Sequence, residues 1–326
     1  MRPATPGKGR EVEVLWDIDQ IPPDFGHTAV TLGNFDGVHR GHQAVLGQLA
    51  ELARARGLRS LAITFDPHPR SVHAPDSAPE QITGLTERLA RMSETGIDAV
   101  LVQRYSLDFA DQTAEDFVND YLVGRLRAKL VAVGRDVRFG RGNHGTIETL
   151  KRLGADNGLE IVTIDDVGHA PDTTGRDSST LVRELLAEGR VDAAAEVLGS
   201  PHTVAGTVVH GDARGRELGF PTANLGEDSE GMVPADGVYA GIAHFDSDPE
   251  GYPAAISVGT NPTFDGVSRR VEAYVLDKEF ADFDVYGSTM SLEFVKLIRG
   301  QITFEGMDEL IAQMHEDVSE VRSVLS

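Results

Sequence analysis

The stretch TLGNFDGVHRGH, from Thr31 to His42, decides the predicted fold of the first half of the chain. An apolar run ending at Leu32 precedes it, and apolar residues recur at helical spacing in residues 43–56 that follow. The pattern predicts a buried strand, a turn rich in glycine and the start of a helix. Free backbone N–H groups and the positive end of the helix dipole meet at such a turn, and they favour an anion there.

Two histidines, His39 and His42, stand at the predicted start of the helix. Because residues three apart share a face of a helix, both imidazoles are expected to point toward the same bound phosphate. Either ring can carry a proton near neutral pH. The residues alone leave two simpler interpretations, an ordinary turn with helix-capping histidines or part of a zinc site. Zinc is disfavoured because the chain has no cysteine and no third ligand stands nearby.

The HxGH spacing preceded by GNFDGVH resembles the signature of nucleotidyltransferases that transfer an adenylyl group from ATP. The form with NFDG is similar to that of the FAD synthetases in this group. The resemblance implies that His39 and His42 are catalytic and stabilise the charge that develops during transfer. It also implies that the turn binds the nucleotide through Gly33, Asn34, Phe35, Asp36 and Gly37.

A second run, SSTLVR at residues 178–183, places hydroxyl groups at a predicted helix N-terminus, where they can hydrogen-bond a phosphate. On the residues alone, a plain helix cap is the commoner meaning. The run resembles the SSTxxR motif that accompanies HxGH in the same family. This implies nucleotide binding by Ser178, Ser179, Thr180 and Arg183, while Asp177 stands where the family has an apolar residue.

Two further segments, TFDPHP at residues 64–69 and GRDVRFG at residues 134–140, follow predicted strands of the same domain. In parallel sheets, ligands lie beyond the carboxyl ends of the strands, where the strand order switches. The resemblance implies that both segments face the flavin, through Asp66, His68, Asp136 and Phe139.

The segment from Gly140 to Gly145 fits the G-x-G-x-x-G pattern of dinucleotide-binding proteins. A Rossmann-type flavin or NAD oxidoreductase is therefore the rival interpretation. Residues 135–139 separate the predicted strand end from the first glycine, whereas the fingerprint requires the glycines at the strand tip. We therefore give the dinucleotide fingerprint the lower weight.

The run GDARGRELGFPTAN, from Gly211 to Asn224, is a glycine-rich loop that ends in PTAN. On the residues alone, PTAN is a turn, and the chain contains no Walker A lysine motif. The run resembles the riboflavin kinase signature, which implies nucleotide binding by Gly211, Arg214, Gly219, Thr222 and Asn224. Thr222 and Asn224 would also bind Mg²⁺, which prefers hard oxygen ligands such as a hydroxyl and an amide carbonyl.

The segment RRVEAYVL at residues 269–276 alternates in polarity, so Glu272 shares a strand face with Tyr274 and lies opposite Val271 and Ala273. On the residues alone, Glu272 is a carboxylate facing solvent. The resemblance implies that it is the catalytic base that takes the proton from the 5′-hydroxyl of riboflavin.

The order of elements predicts an α/β protein with two domains. Alternating strands and helices up to residue 198 indicate an N-terminal doubly wound parallel-sheet domain, which the resemblance implies is the nucleotidyltransferase. After Ser200-Pro201, strands punctuated by Gly, Pro, Asn and Asp indicate a C-terminal antiparallel β-barrel with a terminal helix at 305–326, which the resemblance implies is the kinase domain. The predicted bounds are 11–187 for FMN adenylyltransferase, 188–202 for a linker and 203–326 for riboflavin kinase.

Composition narrows the expected partners. The chain carries 30 Lys and Arg against 52 Asp and Glu, a net charge of −22, and so repels nucleic acid and anionic membranes. We expect small-molecule partners only, while a homo-oligomer stays open. The absence of cysteine excludes disulfides and thiol catalysis. No apolar segment resembles a signal peptide or a membrane span, so a cytoplasmic location is predicted.

Together, the two motif sets resemble the bifunctional bacterial riboflavin kinase/FAD synthetase family. The resemblance implies that riboflavin and ATP give FMN in the C-terminal domain. FMN and a second ATP then give FAD and pyrophosphate in the N-terminal domain, and both steps use Mg²⁺. Two other classes remain open, the oxidoreductase named above and a flavin-binding module without catalysis.

Overall fold

The computed structural model describes residues 12–164, 178–211, 220–246, 248–263, 266–278 and 285–326. The chain forms two compact units, one made of Met1–Pro79 with Leu85–Asp177 and the other of Glu80–Gly84 with Ser178–Ser326. The division by contacts thus falls at residue 177, whereas the predicted domain bound lies at 187. The predicted bounds refer to the two activities and stay a prediction.

The first unit contains a six-stranded sheet whose neighbouring strands are all parallel. Its strands are β1 Glu13–Trp16, β2 Thr28–Leu32, β3 Arg59–Asp66, β4 Ala99–Arg104, β5 Ala128–Gly134 and β6 Glu160–Ile164. Their order across the sheet is β1-β4-β3-β2-β5-β6. The central strands are runs of buried apolar residues, as expected for strands covered on both faces.

Helices follow most strands of this unit. They are α1 Arg40–Arg56, α2 Pro69–His73, α3 Leu85–Ser93, α4 Leu107–Ala110, α5 Ala114–Asp116 and α6 Ile147–Asn157. The segment Phe117–Arg125, whose apolar residues also fit α-helical spacing, continues α5 as a π-helix. One face of the sheet packs against this segment and α6, and the other packs against α1 and α3. The predicted doubly wound sheet is therefore confirmed.

The strand order places the motif Thr31–His42 at the point where the order of the strands switches. From β2 the chain builds β3 and β4 on one side, and it then crosses to build β5 and β6 on the other side. The order therefore switches between β2 and β5, and ligands of such sheets bind at the carboxyl end of this switch point. Gly33 is the first residue beyond β2.

The second unit contains a closed antiparallel barrel, in the order β10-β11-β8-β7-β12-β9. The strands are β7 His202–Val209, β8 Ala223–Leu225, β9 Gly237–Phe245, β10 Asp248–Thr263, β11 Gly266–Val275 and β12 Thr289–Gly300. Helices α7 Ser179–Ala187 and α8 Val191–Leu198 precede the barrel, and α9 Met307–Leu325 follows it. The predicted barrel with a terminal helix is confirmed.

The terminal helix is attached to the barrel by polar and apolar contacts. Arg299 of β12 donates from Nε and Nη2 to the two carboxylate oxygens of Asp317 at 2.8 and 2.7 Å. Val321 is buried against Ala240 and Leu276. In the part of the chain that the structure describes, no helix combines the length and apolar character needed to cross a bilayer.

Candidate active sites

The turn after β2 has an unusual backbone. Phe35 and Val38 have φ values of 49° and 44°, in the left-handed region that side chains other than glycine rarely adopt, and Gly37 has a φ of 79°. Each such residue costs about 1–3 kcal/mol and persists only where the surrounding structure holds it. Phe35, Asp36 and Val38 are buried, so the turn is a packed element and not a loose loop.

The two histidines lie together at the start of α1. His39 is the residue that caps the helix, and its Nδ1 accepts a hydrogen bond from the backbone N–H of His42 at 3.4 Å. The two rings are stacked, with centroids 3.6 Å apart and an angle of 22° between their planes. The ring of Phe35 meets His42 edge-on, with centroids 5.2 Å apart. The structure thus brings both imidazoles to the N-terminus of α1, where an anion is favoured.

The surroundings of His42 disfavour its charged form. Burial lowers its pKa well below the ordinary value, and the neighbouring charges of His39 and Arg88 lower it further. Its buried Nδ1 has no hydrogen-bond partner among the described residues. The lowered pKa favours the neutral form of His42, so protonation of this ring near neutral pH stays a prediction that its surroundings oppose.

A pH titration checks this assignment. The His42 Cε1–H resonance, identified from its absence in His42→Gln, is expected to titrate with a midpoint well below about 6.5, the ordinary value. Because the unfolded chain then binds the proton more tightly than the folded one, the free energy of unfolding should fall as the pH drops through the unfolded pKa. Urea titrations should show a weaker decrease in His42→Gln. An equal decrease in both proteins would contradict the assignment.

Arg88 was not identified from the sequence as a residue of the site. It hydrogen-bonds to the backbone of the turn after β2. Its side chain is 1% exposed on α3, and Nη1 donates to the carbonyl oxygens of Asn34 at 3.3 Å and Phe65 at 3.5 Å. Thr64 Oγ1 donates to the same Asn34 oxygen at 3.0 Å. The available signal was a cation at helical spacing from Leu85 and Met92, on the apolar side of the helix.

The residues predicted to face the flavin lie partly at the ends of strands and partly in the core. Asp66 ends β3, and His68 follows it as the cap of α2, accepting at Nδ1 from the Arg70 N–H at 3.1 Å. Asp136 is exposed beyond β5, so these residues flank the end of β2 on both sides. Phe139 is instead 5% exposed and packs in the core against Phe117. Their flavin contacts stay predictions, and for Phe139 a packing role is what the structure supports.

The glycines at residues 140–145 belong to a loop that is closed by backbone hydrogen bonds. Phe139 and Gly145 exchange backbone hydrogen bonds of 3.2 and 2.9 Å across it. A Cβ at Gly140 would lie 2.8 Å from the backbone nitrogen of Ala114. The next helix, α6, begins only after Thr146 caps it. The glycines are thus not at a strand tip that opens a helix, which weighs against the dinucleotide fingerprint.

The SSTxxR residues belong to the second compact unit. Ser178 caps α7, accepting at Oγ from the Leu181 N–H at 3.2 Å, and Thr180 is exposed. Arg183 donates from Nε to the carbonyl oxygen of Glu80 at 2.7 Å. Their nucleotide contacts, including that of Ser179, stay predictions. Asp177 lies outside the described residues.

The barrel brings the PTAN residues and the predicted base together. Asn224 of β8 stands opposite Glu272 of β11 in the antiparallel register. Thr222 Oγ1 donates to Glu272 Oε2 at 3.3 Å. A Cβ at Gly211 would lie 2.7 Å from the Asn224 Cγ, so a glycine at position 211 leaves room for the Asn224 amide group. Arg214 and Gly219 lie outside the described residues.

A cavity of about 370 Å³ opens beside Glu272. This volume lies in the range of small-molecule sites, about 300–1,000 Å³. This cavity was not predicted from the sequence, although strand alternation puts Arg270 on the same face as Glu272. The lining residues come from distant parts of the barrel: Asp236, Ser257, Gly259, Thr260, Arg270, Glu272 and Gln301.

Substitution of Gly211 tests the arrangement around Asn224. In Gly211→Ala, the new Cβ would displace the Asn224 side chain, and a misplacement of about 1 Å can cost about 10²-fold in rate. We expect phosphorylation of riboflavin to fall by this order, while conversion of FMN to FAD is unchanged. Gly300→Ala is the matched control, because a Cβ at that barrel glycine would meet nothing within 4 Å. Equal losses in the two variants would count against this role of Gly211.

Comparison with known proteins identifies the family. The FAD synthetase family model matches residues 21–179, and the riboflavin kinase model matches residues 198–325. Two of the similar proteins are the bifunctional riboflavin kinase/FMN adenylyltransferases of Escherichia coli K12 and Bacillus subtilis. The former is 39% identical over 93% of this chain and 94% of the relative. The latter is 33% identical over 92% and 93%, respectively.

Among solved structures, a crystal structure described as a macrolide-efflux protein from Streptococcus pneumoniae matches nearly the whole chain. It shares 31% identity with a TM-score of 0.83, and the match covers 95% of this chain and 99% of that one. The family predicted from the two motif sets is confirmed by the domain matches and the identities over most of the chain. The chain therefore belongs to the bifunctional riboflavin kinase/FMN adenylyltransferase family.

Proposed function

We propose that the chain performs the family's two reactions at two separate ATP sites. FMN adenylyltransferase activity is assigned to the turn after β2, and riboflavin kinase activity to the β8–β11 contact beside the cavity. The observation that carries the proposal is the meeting of Thr222, Asn224 and Glu272 at one point of the barrel. The domain bounds 11–187 and 203–326 are part of the same proposal.

In the kinase step, the Glu272 carboxylate accepts the proton of the riboflavin 5′-hydroxyl. The hydroxyl oxygen then attacks the γ-phosphorus of ATP, and the bond to the β-phosphate oxygen breaks to release ADP. The 370 Å³ cavity supports this assignment because Glu272 is one of the residues that line it. Arg270 and Gln301, which line the same cavity, are the residues we assign to flavin contacts.

In the adenylyltransferase step, a phosphate oxygen of FMN attacks the α-phosphorus of ATP, and pyrophosphate leaves. The protein supplies alignment and hydrogen-bond donors for the charge that develops. His39, His42 and the backbone N–H groups at the start of α1 are assigned to this role. The burial that lowers the pKa of His42 favours a role for it as a hydrogen-bonding group. Ser178, Ser179, Thr180 and Arg183 are proposed as further nucleotide ligands.

The barrel site fits Mg²⁺ by the chemistry of its donors. The Thr222 hydroxyl, the Asn224 amide oxygen and the Glu272 carboxylate are hard oxygen groups, and the first and last lie 3.3 Å apart. Thr222 and Asn224 would hold the ion. When bound, Mg²⁺ neutralises charge on the phosphate oxygens of ATP.

One assay tests the two activities and their metal requirement. The purified chain is incubated with riboflavin, ATP and Mg²⁺, and in parallel with FMN, ATP and Mg²⁺, and the flavins are separated by chromatography. We expect FMN and FAD in the first reaction, FAD in the second and neither product after chelation with EDTA. Product formation that continues in EDTA would contradict the role of Mg²⁺. Tight flavin binding without any product would indicate a binding module.

A further inference from the structure

The buried guanidinium of Arg88 is the feature on which a further assignment rests. Arg88 is among the largest fully buried side chains of the described residues, and it is a cation. Burial of a charge is unfavourable unless hydrogen bonds or other charges compensate for it. Two of its hydrogen bonds run from Nη1 to backbone carbonyl oxygens, those of Asn34 at 3.3 Å and Phe65 at 3.5 Å.

These two carbonyl groups lie at the proposed adenylyltransferase site, the turn after β2. Phe65 is near the end of β3, and Asn34 lies just beyond the end of the neighbouring β2. One guanidinium therefore joins the carboxyl ends of two adjacent strands at the switch point. It does so directly before Phe35, which together with Val38 gives this turn its two non-glycine residues with positive φ. A strained turn of this kind needs such a constraint to keep one conformation.

We propose that Arg88 is a positioning residue for adenylyl transfer. It holds the turn at Asn34 so that the backbone N–H groups before α1 and the ring of His42 keep their places toward the nucleotide. The inference rests on the proposed adenylyltransferase site at His39 and His42. Arg88 itself is too deeply buried to be assigned a contact with substrate.

The charge of Arg88 has a second consequence for the same site. The groups that act electrostatically on His42 are His39, stacked on it from the same turn, and Arg88 from α3. Both lower the His42 pKa, after the larger effect of burial. Removal of the guanidinium should therefore raise the His42 pKa, and a lysine at position 88, which keeps the charge, separates this effect from a loss of burial.

Arg91 provides a matched control on the same helix. It is also buried, at 7% exposure, but its Nε is paired with the Glu87 carboxylate at 2.5 Å. Arg91→Met thus removes a buried arginine of α3 without removing the bonds to Asn34 and Phe65. Riboflavin phosphorylation by the same chain is a second control, because it reports whether the second compact unit is intact, while the His42 resonance reports whether the unit that carries Arg88 is folded.

The experiment compares Arg88→Met, Arg88→Lys and Arg91→Met as full-length chains. In Arg88→Met, kcat for FAD formation is expected to fall about 10²-fold, as for a 1 Å displacement of the reacting groups. FMN formation should stay within about twofold, since it is assigned to residues of the other compact unit. The His42 resonance should titrate at higher pH than in the unaltered chain. Arg88→Lys should recover part of kcat and the low His42 pKa, because it keeps the charge and a donor.

Each outcome bears on the inference. Full FAD formation in folded Arg88→Met, or an equal loss in Arg91→Met, would overturn it. An unchanged His42 titration together with a lower kcat would overturn the electrostatic part. If the His39→Ala/His42→Ala protein still made FAD, the proposed site itself would fail. If that protein were inactive and Arg88→Met fully active, only the inference about Arg88 would fail.

Discussion

Replacement of Glu272 by glutamine is expected to stop FMN formation while the same protein still converts FMN to FAD. Glutamine keeps the size of the side chain and a hydrogen-bond acceptor for the Thr222 hydroxyl, which lies 3.3 Å away. It cannot accept the proton of the riboflavin hydroxyl, and general-base catalysis contributes about 10²–10⁴-fold. The rate of riboflavin phosphorylation at saturating ATP should therefore fall by this factor, measured by chromatography of the flavins.

The control for this variant is a second glutamate of the barrel. Glu293 of β12 is partly exposed and paired with His244 at 3.2 Å, and it does not line the cavity beside Glu272. Glu293→Gln should leave both activities unchanged. If Glu272→Gln retained full kinase activity, Glu272 would not be the base. If it lost both activities while still folded, the assignment of separate sites would be wrong.

The fold was largely predictable because its signals are local. Alternation of strands and helices up to residue 198, and closely spaced strands after it, follow from hydrophobic periodicity and turn residues. The apolar run at 254–258 is only the centre of the longer β10, since the ends of this strand pair by backbone hydrogen bonds that side-chain patterns do not report. The π-helix at Phe117–Arg125 escaped prediction because its apolar residues also fit α-helical spacing.

The candidate sites were predictable only in part. The motif residues could be named from their resemblance to the family's signatures, and the structure brings His39 to His42 and Thr222 to Glu272. Arg88 was missed because its role depends on carbonyl groups of two strands that are remote in sequence. The cavity was missed for the same reason, since Asp236 and Gln301 reach it from distant parts of the chain. Periodicity shows which face a residue occupies, but it does not show which remote groups meet there.

Replacement of both histidines, His39→Ala together with His42→Ala, should have the opposite effect to Glu272→Gln. Loss of a single preorganised donor costs about 10²–10³-fold in kcat, and the double change also removes the cap of α1. FAD formation from FMN should become undetectable, while riboflavin phosphorylation continues. His27→Ala is the matched control, because His27 precedes β2 and so lies at the opposite end of the strand from the motif. FAD formation that persisted in the double variant would remove the basis for an adenylyl-transfer site at this helix start, since the remaining backbone N–H groups would then suffice for transfer.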